Sequence, residues 1–255
     1  MIDIVRVKQT LNDYLKNYDI NDEQIKLKIS HTYRVAELSK LLGKSLNLPE
    51  IGIDLAETIG LLHDIGRFEQ VKRYHTFLDK DSVNHGELGI EILFEDNLIR
   101  KFIEDSRYDD IIKESILNHN REKITDGITG LELLHSKIIR DSDKTDILYL
   151  SSLKENIDVA FCQKDLVREK ITDKVYYDFV TNNRINYNSI KSGADIVLCH
   201  LAYIFDYNYD YLLRYVYEKE YIDKIFDMIE FKDEESQDKF YSCYQITKTY
   251  MKRRI

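Results

Sequence analysis

GLLHDIGRFEQ, residues 60–70, places a histidine–aspartate pair at the end of an apolar run and follows it closely with a glycine. His63 lies four residues after Ile59 and seven after Ala56, so a helix over about 50–65 turns it to the buried side. Pro49 stands just before that helix, where proline is tolerated, and Gly66 reads as its stop. A carboxylate directly after a buried histidine costs on the order of several kcal/mol unless it is paired or metal-bound. At a helix C-terminus Asp64 also meets an unfavourable dipole, worth roughly a few tenths to 1 kcal/mol. A nearby cation removes both costs.

Working outward, five of the seven histidines precede residue 120. His31 continues the stripe Leu27, Val35, Leu38, Leu42 on a helix predicted over about 22–46, with Asn21 or Asp22 as N-cap. His119 falls three residues after Ile116 and seven after Ile112, at the end of a helix over about 108–119. His85 opens a helix whose inward residues would be Leu88, Ile92 and Gly89. A single inward histidine is usually a satisfied core residue. Imidazoles turned inward on each of four helices need a shared reason, and a divalent metal provides one. His75 lies in an irregular stretch and reads as a surface or entrance residue, while His135 and His200 read as ordinary core or surface histidines.

A second acidic cluster occurs in KIIRDSDKTDIL, residues 137–148. Leu134–Ile138–Asp141 and His135–Ile139–Asp143 are both acceptable helical stripes, so periodicity does not choose among Asp141, Asp143 and Asp146.

The rest of the chain supports an all-α fold. With one proline and nine glycines in 255 residues, turn punctuation is sparse, and strand-like alternation is hard to find. Further helices are expected over 4–18, 83–95, 97–105 and 129–149, with 67–82 as a loop crossing. The last hundred residues are rich in tyrosine and poor in chemically suggestive clusters; 190–253 reads as further helices, with Tyr203, Phe205, Tyr207 and Tyr211 as core and interface rings. The expected organisation is a catalytic core over 1–155 and a Tyr-rich helical extension over 156–255.

The net charge of −9 argues against broad binding to nucleic-acid phosphates but leaves room for a small anionic substrate. The chain shows neither a membrane-length apolar run nor a signal-peptide core, so a cytoplasmic protein is expected. Cys162, Cys199 and Cys243 are widely spaced and odd in number, which reads as free buried thiols. The basic end, Lys252-Arg253-Arg254, reads as a solvated terminus.

The order His31, His63-Asp64, His85, His119 and an aspartate in DSDK resembles the HD-domain superfamily of metal-dependent phosphohydrolases. The stretches LLHDIGRFEQ, NHGELGIEIL, ILNHN and IIRDSDKTDIL each resemble a block of that family, over roughly residues 25–150. The family's last metal aspartate usually precedes a basic residue, which selects Asp143 before Lys144; Ser142 and Thr145 depart from the commoner residues at their positions.

The resemblance implies an HD-type helical bundle with additional C-terminal helices. It implies a metal core of His31, His63, Asp64 and Asp143, with His85 and His119 on a second ion and Asp64 bridging and acting in catalysis. The ions would be Mn, Fe, Ni or Co, with Mg also compatible. Arg34, Arg67 and Lys144 are the candidate phosphate contacts. The implied activity is hydrolysis of a phosphoester in a nucleotide or other small phosphorylated substrate. The same ligand arrangement also occurs in di-iron oxygenases, and a non-catalytic nucleotide or metal sensor is a further alternative. Neither a tandem GYP signature nor an alarmone-synthetase domain accompanies the pattern.

Overall fold

The computed structural model describes residues 2–156 and 165–255, and among these every regular element is helical. The chain forms two compact units, Met1–Asp143 and Lys144–Ile255. None of the described helices is long and apolar enough to cross a membrane.

The first unit contains α1 (Ile4–Leu15), α2 (Glu23–Ser45), α3 (Glu50–Leu62), α4 (Ile65–Tyr74), α5 (His85–Ile90), α6 (Ile99–Phe102) and α7 (Asp109–His119). The long α8 (Gly130–Ser151) carries the last site residue of this unit. Capping follows the sequence: the Asp22 carboxylate accepts from the amides of Gln24 and Ile25, and Asn84 accepts from Gly86 and Glu87. Helix α3 packs on α2 and α7, while α4 packs on α2 and α5. The core between them is built from Val35, Ala36, Ile59, Leu62, Ile65, Phe68, Leu93, Ile112 and Ile116. Each of these Val, Leu, Ile and Phe side chains contributes about 1.5–3 kcal/mol through burial.

Two glycines let backbones meet beside the His63-Asp64 pair. A Cβ on Gly60 would stand 2.6 Å from the Cα of Ala36, so the α2–α3 approach requires its absence. A Cβ on Gly66 would stand 2.2 Å from the carbonyl oxygen of His85 and 2.7 Å from the nitrogen of Gly89. Gly66 is therefore not a helix stop. The break falls earlier, at Asp64 (φ −105°, ψ 17°), and α4 starts at the next residue.

Residues 67–74 thus belong to a helix rather than to the expected loop. The loop is the shorter stretch that follows, entered through the left-handed His75 and containing a 3₁₀ turn at Asp79–Asp81. The periodicity was obscured because α4 turns Gln70, a polar residue with no exposed surface, inward beside Phe68 and Val71. The first helix ends at Leu15 rather than 18, and the helix expected over 97–105 is the single turn of α6. The helix expected over 83–95 is α5 continued by a π-helical turn, Glu91–Glu95.

The second unit contains α9 (Asp173–Asn182), α10 (Gly193–Ala202), α11 (Asp210–Glu218), α12 (Tyr221–Met228) and α13 (Glu234–Arg254). Helix α10 packs on α9 and α13, and α11, α12 and α13 pack on one another. Its rings do serve as core: Phe205 packs against Phe179 and Tyr250, and Tyr207 is buried. Tyr211 is instead largely exposed. Cys199 and Cys243 are free and buried; the reading of Cys162 lies outside the described residues.

Candidate metal centre

Asp64 occupies an N-cap position yet caps nothing, and its carboxylate turns to the histidines instead. Its two oxygens face different partners. Oδ2 lies 3.4 Å from His31 Nε2 and 3.6 Å from His63 Nε2. Oδ1 lies 3.5 Å from His85 Nε2 and 3.7 Å from His119 Nε2. Asp143 completes the first side, with Oδ1 3.2 Å from His31 Nε2 and 3.7 Å from His63 Nε2. The donor atoms of His31, His63 and Asp64, of His63, His119 and Asp143, and of Asp64, His85 and His119 form groups whose members lie within 4.8 Å of one another.

The remaining ring nitrogens determine what these imidazoles present. His63 Nδ1 lies 2.8 Å from the Gly60 carbonyl and His119 Nδ1 lies 2.6 Å from the Ile116 carbonyl. A carbonyl only accepts, so each Nδ1 carries the proton and each Nε2 offers a lone pair. His85 Nδ1 lies 2.7 Å from Asp79 Oδ2, also an acceptor, with the same consequence.

The Nε2 atoms of His85 and His119 are 2.9 Å apart. Two lone pairs at that separation repel unless a proton or a cation lies between them. Burial and the Arg67 guanidinium push His85 down to about 3, which disfavours a proton on its Nε2 near neutral pH. The donor set therefore fits a divalent cation.

Both carboxylates are ionised. Burial opposes this at Asp64, but the Lys28 ammonium, 2.7 Å from Oδ2, holds its carboxyl well below the usual range. At Asp143 the adjacent His31, 3.2 Å from Oδ1, outweighs burial in the same direction.

The structure thus brings His31, His63, Asp64, His85, His119 and Asp143 together. Arg34 lies half-buried on α2, one turn after His31. The Arg67 NH1 donates to Gln70, to Asp79 and to the Phe77 carbonyl, while its buried Nε has no hydrogen-bond partner and lies 3.7 Å from Asp64 Oδ1. Lys144 pairs with Asp206 and lies 5.7 Å from the centre of the Tyr203 ring. His75 is exposed, and His135 and His200 are buried, with burial pushing both down to about 4.

Two polar residues at the site escaped the sequence reading. Lys28 lies one turn before His31, a spacing that puts both on one face, but a lysine at the start of a helix reads as a solvated charge. Asp79 lies in a loop where no periodicity could flag it.

A largely buried cluster of four imidazoles and two carboxylates, on or at the ends of six helices, defines a helical metal-site domain. Residues 29–148 match the family model of the HD domain, and this part of the chain is an HD domain. HD domains bind divalent metals and are generally metal-dependent phosphohydrolases. No curated protein and no solved structure matches the chain.

Proposed function

We propose that the chain is a metal-dependent phosphohydrolase acting in the cytoplasm on a nucleotide or another small phosphorylated substrate. The observation that carries this reading is the divided carboxylate of Asp64, each of whose oxygens faces two imidazole nitrogens. His31, His63, Asp64 and Asp143 would hold one ion; His85 and His119 would hold a second, with Asp64 shared. Bound ions of this kind stabilise charge on phosphoryl oxygens and supply hydroxide near neutral pH.

The protein's own groups do the positioning. Asp64, kept ionised, is the acceptor that orients the attacking water. Arg67 Nε, a buried donor without a partner, supports a phosphate contact at the Oδ1 side. Lys28 is a second cation at the Oδ2 side, and Arg34 a third candidate one turn along α2. Lys144 would have to leave Asp206 to serve the same purpose.

The test is metal analysis of protein purified without added metal, followed by a phosphoester screen with Mn, Fe, Ni, Co and Mg. Metal-dependent release of phosphate, lost together with metal binding in His63→Ala and Asp64→Ala, is the expected result. Full activity of a chelated His63→Ala protein would refute the proposal. Oxygen consumption by the ferrous protein without phosphate release would identify an oxygenase, and tight nucleotide binding without turnover a sensor.

A further inference from the structure

The carboxylate of Asp79 joins three parts of the first unit. Its Oδ2 accepts from His85 Nδ1 at 2.7 Å, and its Oδ1 accepts from Arg67 at 2.8 Å and from Gln70 Nε2 at 2.9 Å. Asn120, at the end of α7, approaches Oδ2 at 3.5 Å. Gln70 is fully buried, and its amide also donates to Ser82 Oγ and to the Val83 carbonyl, both at 2.9 Å. Arg67 in turn donates to the Phe77 carbonyl. The segment between α4 and α5 is therefore fastened at both ends to α4, and Asp79 is fixed in place opposite the His85 ring.

We infer that Asp79 is a positioning residue that commits His85 to one tautomer and so sets the affinity of the ion held by His85 and His119. The role rests on the two-ion reading above. A carboxylate can only accept, so the Asp79 contact keeps the His85 proton on Nδ1 and leaves the Nε2 lone pair facing His119 and Asp64. An amide at position 79 could instead present its NH2 group, which would favour the proton on Nε2 and remove a ligand. Partners of metal-bound histidines typically contribute 10–100-fold in metal affinity. The effect is confined to one ion because His63 is oriented separately, by the Gly60 carbonyl.

The experiment compares Asp79→Asn and Asp79→Glu with the wild type by Mn²⁺ equilibrium dialysis and chelator competition. The wild type is expected to bind two ions. Asp79→Asn should keep one at wild-type affinity and bind the other about 10–100-fold more weakly, and Asp79→Glu, which retains an acceptor-only group, should recover much of the loss. Wild-type affinity for both ions in Asp79→Asn overturns the inference. A wild type that binds a single ion overturns the two-ion reading and this role with it. A measurement on the unsubstituted protein covers a variant that fails to fold: in ¹⁵N-histidine spectra of the metal-free wild type, His85 should be protonated on Nδ1. A proton on Nε2 refutes the inference.

Discussion

Replacing Lys28 with methionine keeps an unbranched side chain, one atom shorter, and removes its charge, which separates two states of the metal centre. In the structure the ammonium lies 2.7 Å from Asp64 Oδ2, with the lysine side chain 19% exposed and that of the aspartate 3% exposed. Removing one partner of a buried ion pair costs about 3–5 kcal/mol. The residual exposure of Lys28 and the nearby imidazoles reduce this, so about 2–3 kcal/mol is the expected loss for the metal-free variant. At roughly 2–4 °C per kcal/mol this lowers Tm by about 4–12 °C.

With metal present the sign of the Lys28 effect on binding reverses, because an ion at Oδ2 no longer has to displace or face an ammonium. A gain of about 10–100-fold in affinity corresponds to about 1.4–2.8 kcal/mol, close to the deficit. Urea unfolding of wild type and Lys28→Met, in EDTA and again in saturating Mn²⁺, reads both quantities through linkage. The expected pattern is a large gap without metal and a small one with it. An equal deficit under both conditions, or weaker Mn²⁺ binding by the variant, would refute the assignment of Lys28 as a cation competing for Asp64.

Gly66→Ala should destabilise the protein by about 1–3 kcal/mol, because its Cβ would meet the backbone of His85 and Gly89 rather than a movable side chain. The same shift of α5 should weaken the ion at His85, so urea unfolding and metal stoichiometry should change together; a change in stability alone would contradict the coupling. Chelation should abolish turnover and lower the melting temperature, and Mn²⁺ should restore both in a titration followed by differential scanning fluorimetry.

Away from the metal centre, the buried Glu57 carboxylate pairs with Lys8 at 2.6 Å and Lys40 at 2.8 Å. Burial would raise its pKa, but the two lysines outweigh burial and hold it below its usual value. A depressed carboxylate contributes its stability fully above the unfolded value, about 4.3, and loses it as pH falls through the folded value. The advantage of wild type over Glu57→Gln in denaturant melts should therefore be constant above about pH 5 and shrink on acidification; an advantage that grows as pH falls would contradict the assignment.

What could be read from the sequence divides along a physical line. The ligand-bearing faces of α2 and α3 were legible because His31 and His63 replace aliphatic residues in a regular stripe, and the core beside them is aliphatic: Val35, Leu42, Ile59 and Leu62 are all buried. Asp143 was not legible from periodicity, since Asp141 and Asp146 on the same helix are as fully buried as a core residue. It was the resemblance to a family block that selected it. Groups that act by orienting other groups left no comparable trace. Gln70 interrupts the apolar face of α4 because its amide ties down the following segment, and the same interruption made a helix look like a loop.

Asp79 has no helical neighbours against which a pattern could be judged, and Lys28 has the side chain least expected beside a buried carboxylate. Both matter because their partners are buried. A carboxylate exposed at a loop tip would leave a histidine tautomer to solvent, and an ammonium in water would contribute little at Asp64. The low exposure of His85 and Asp64 turns single hydrogen bonds into determinants of which lone pair faces a cation and how tightly that cation is held.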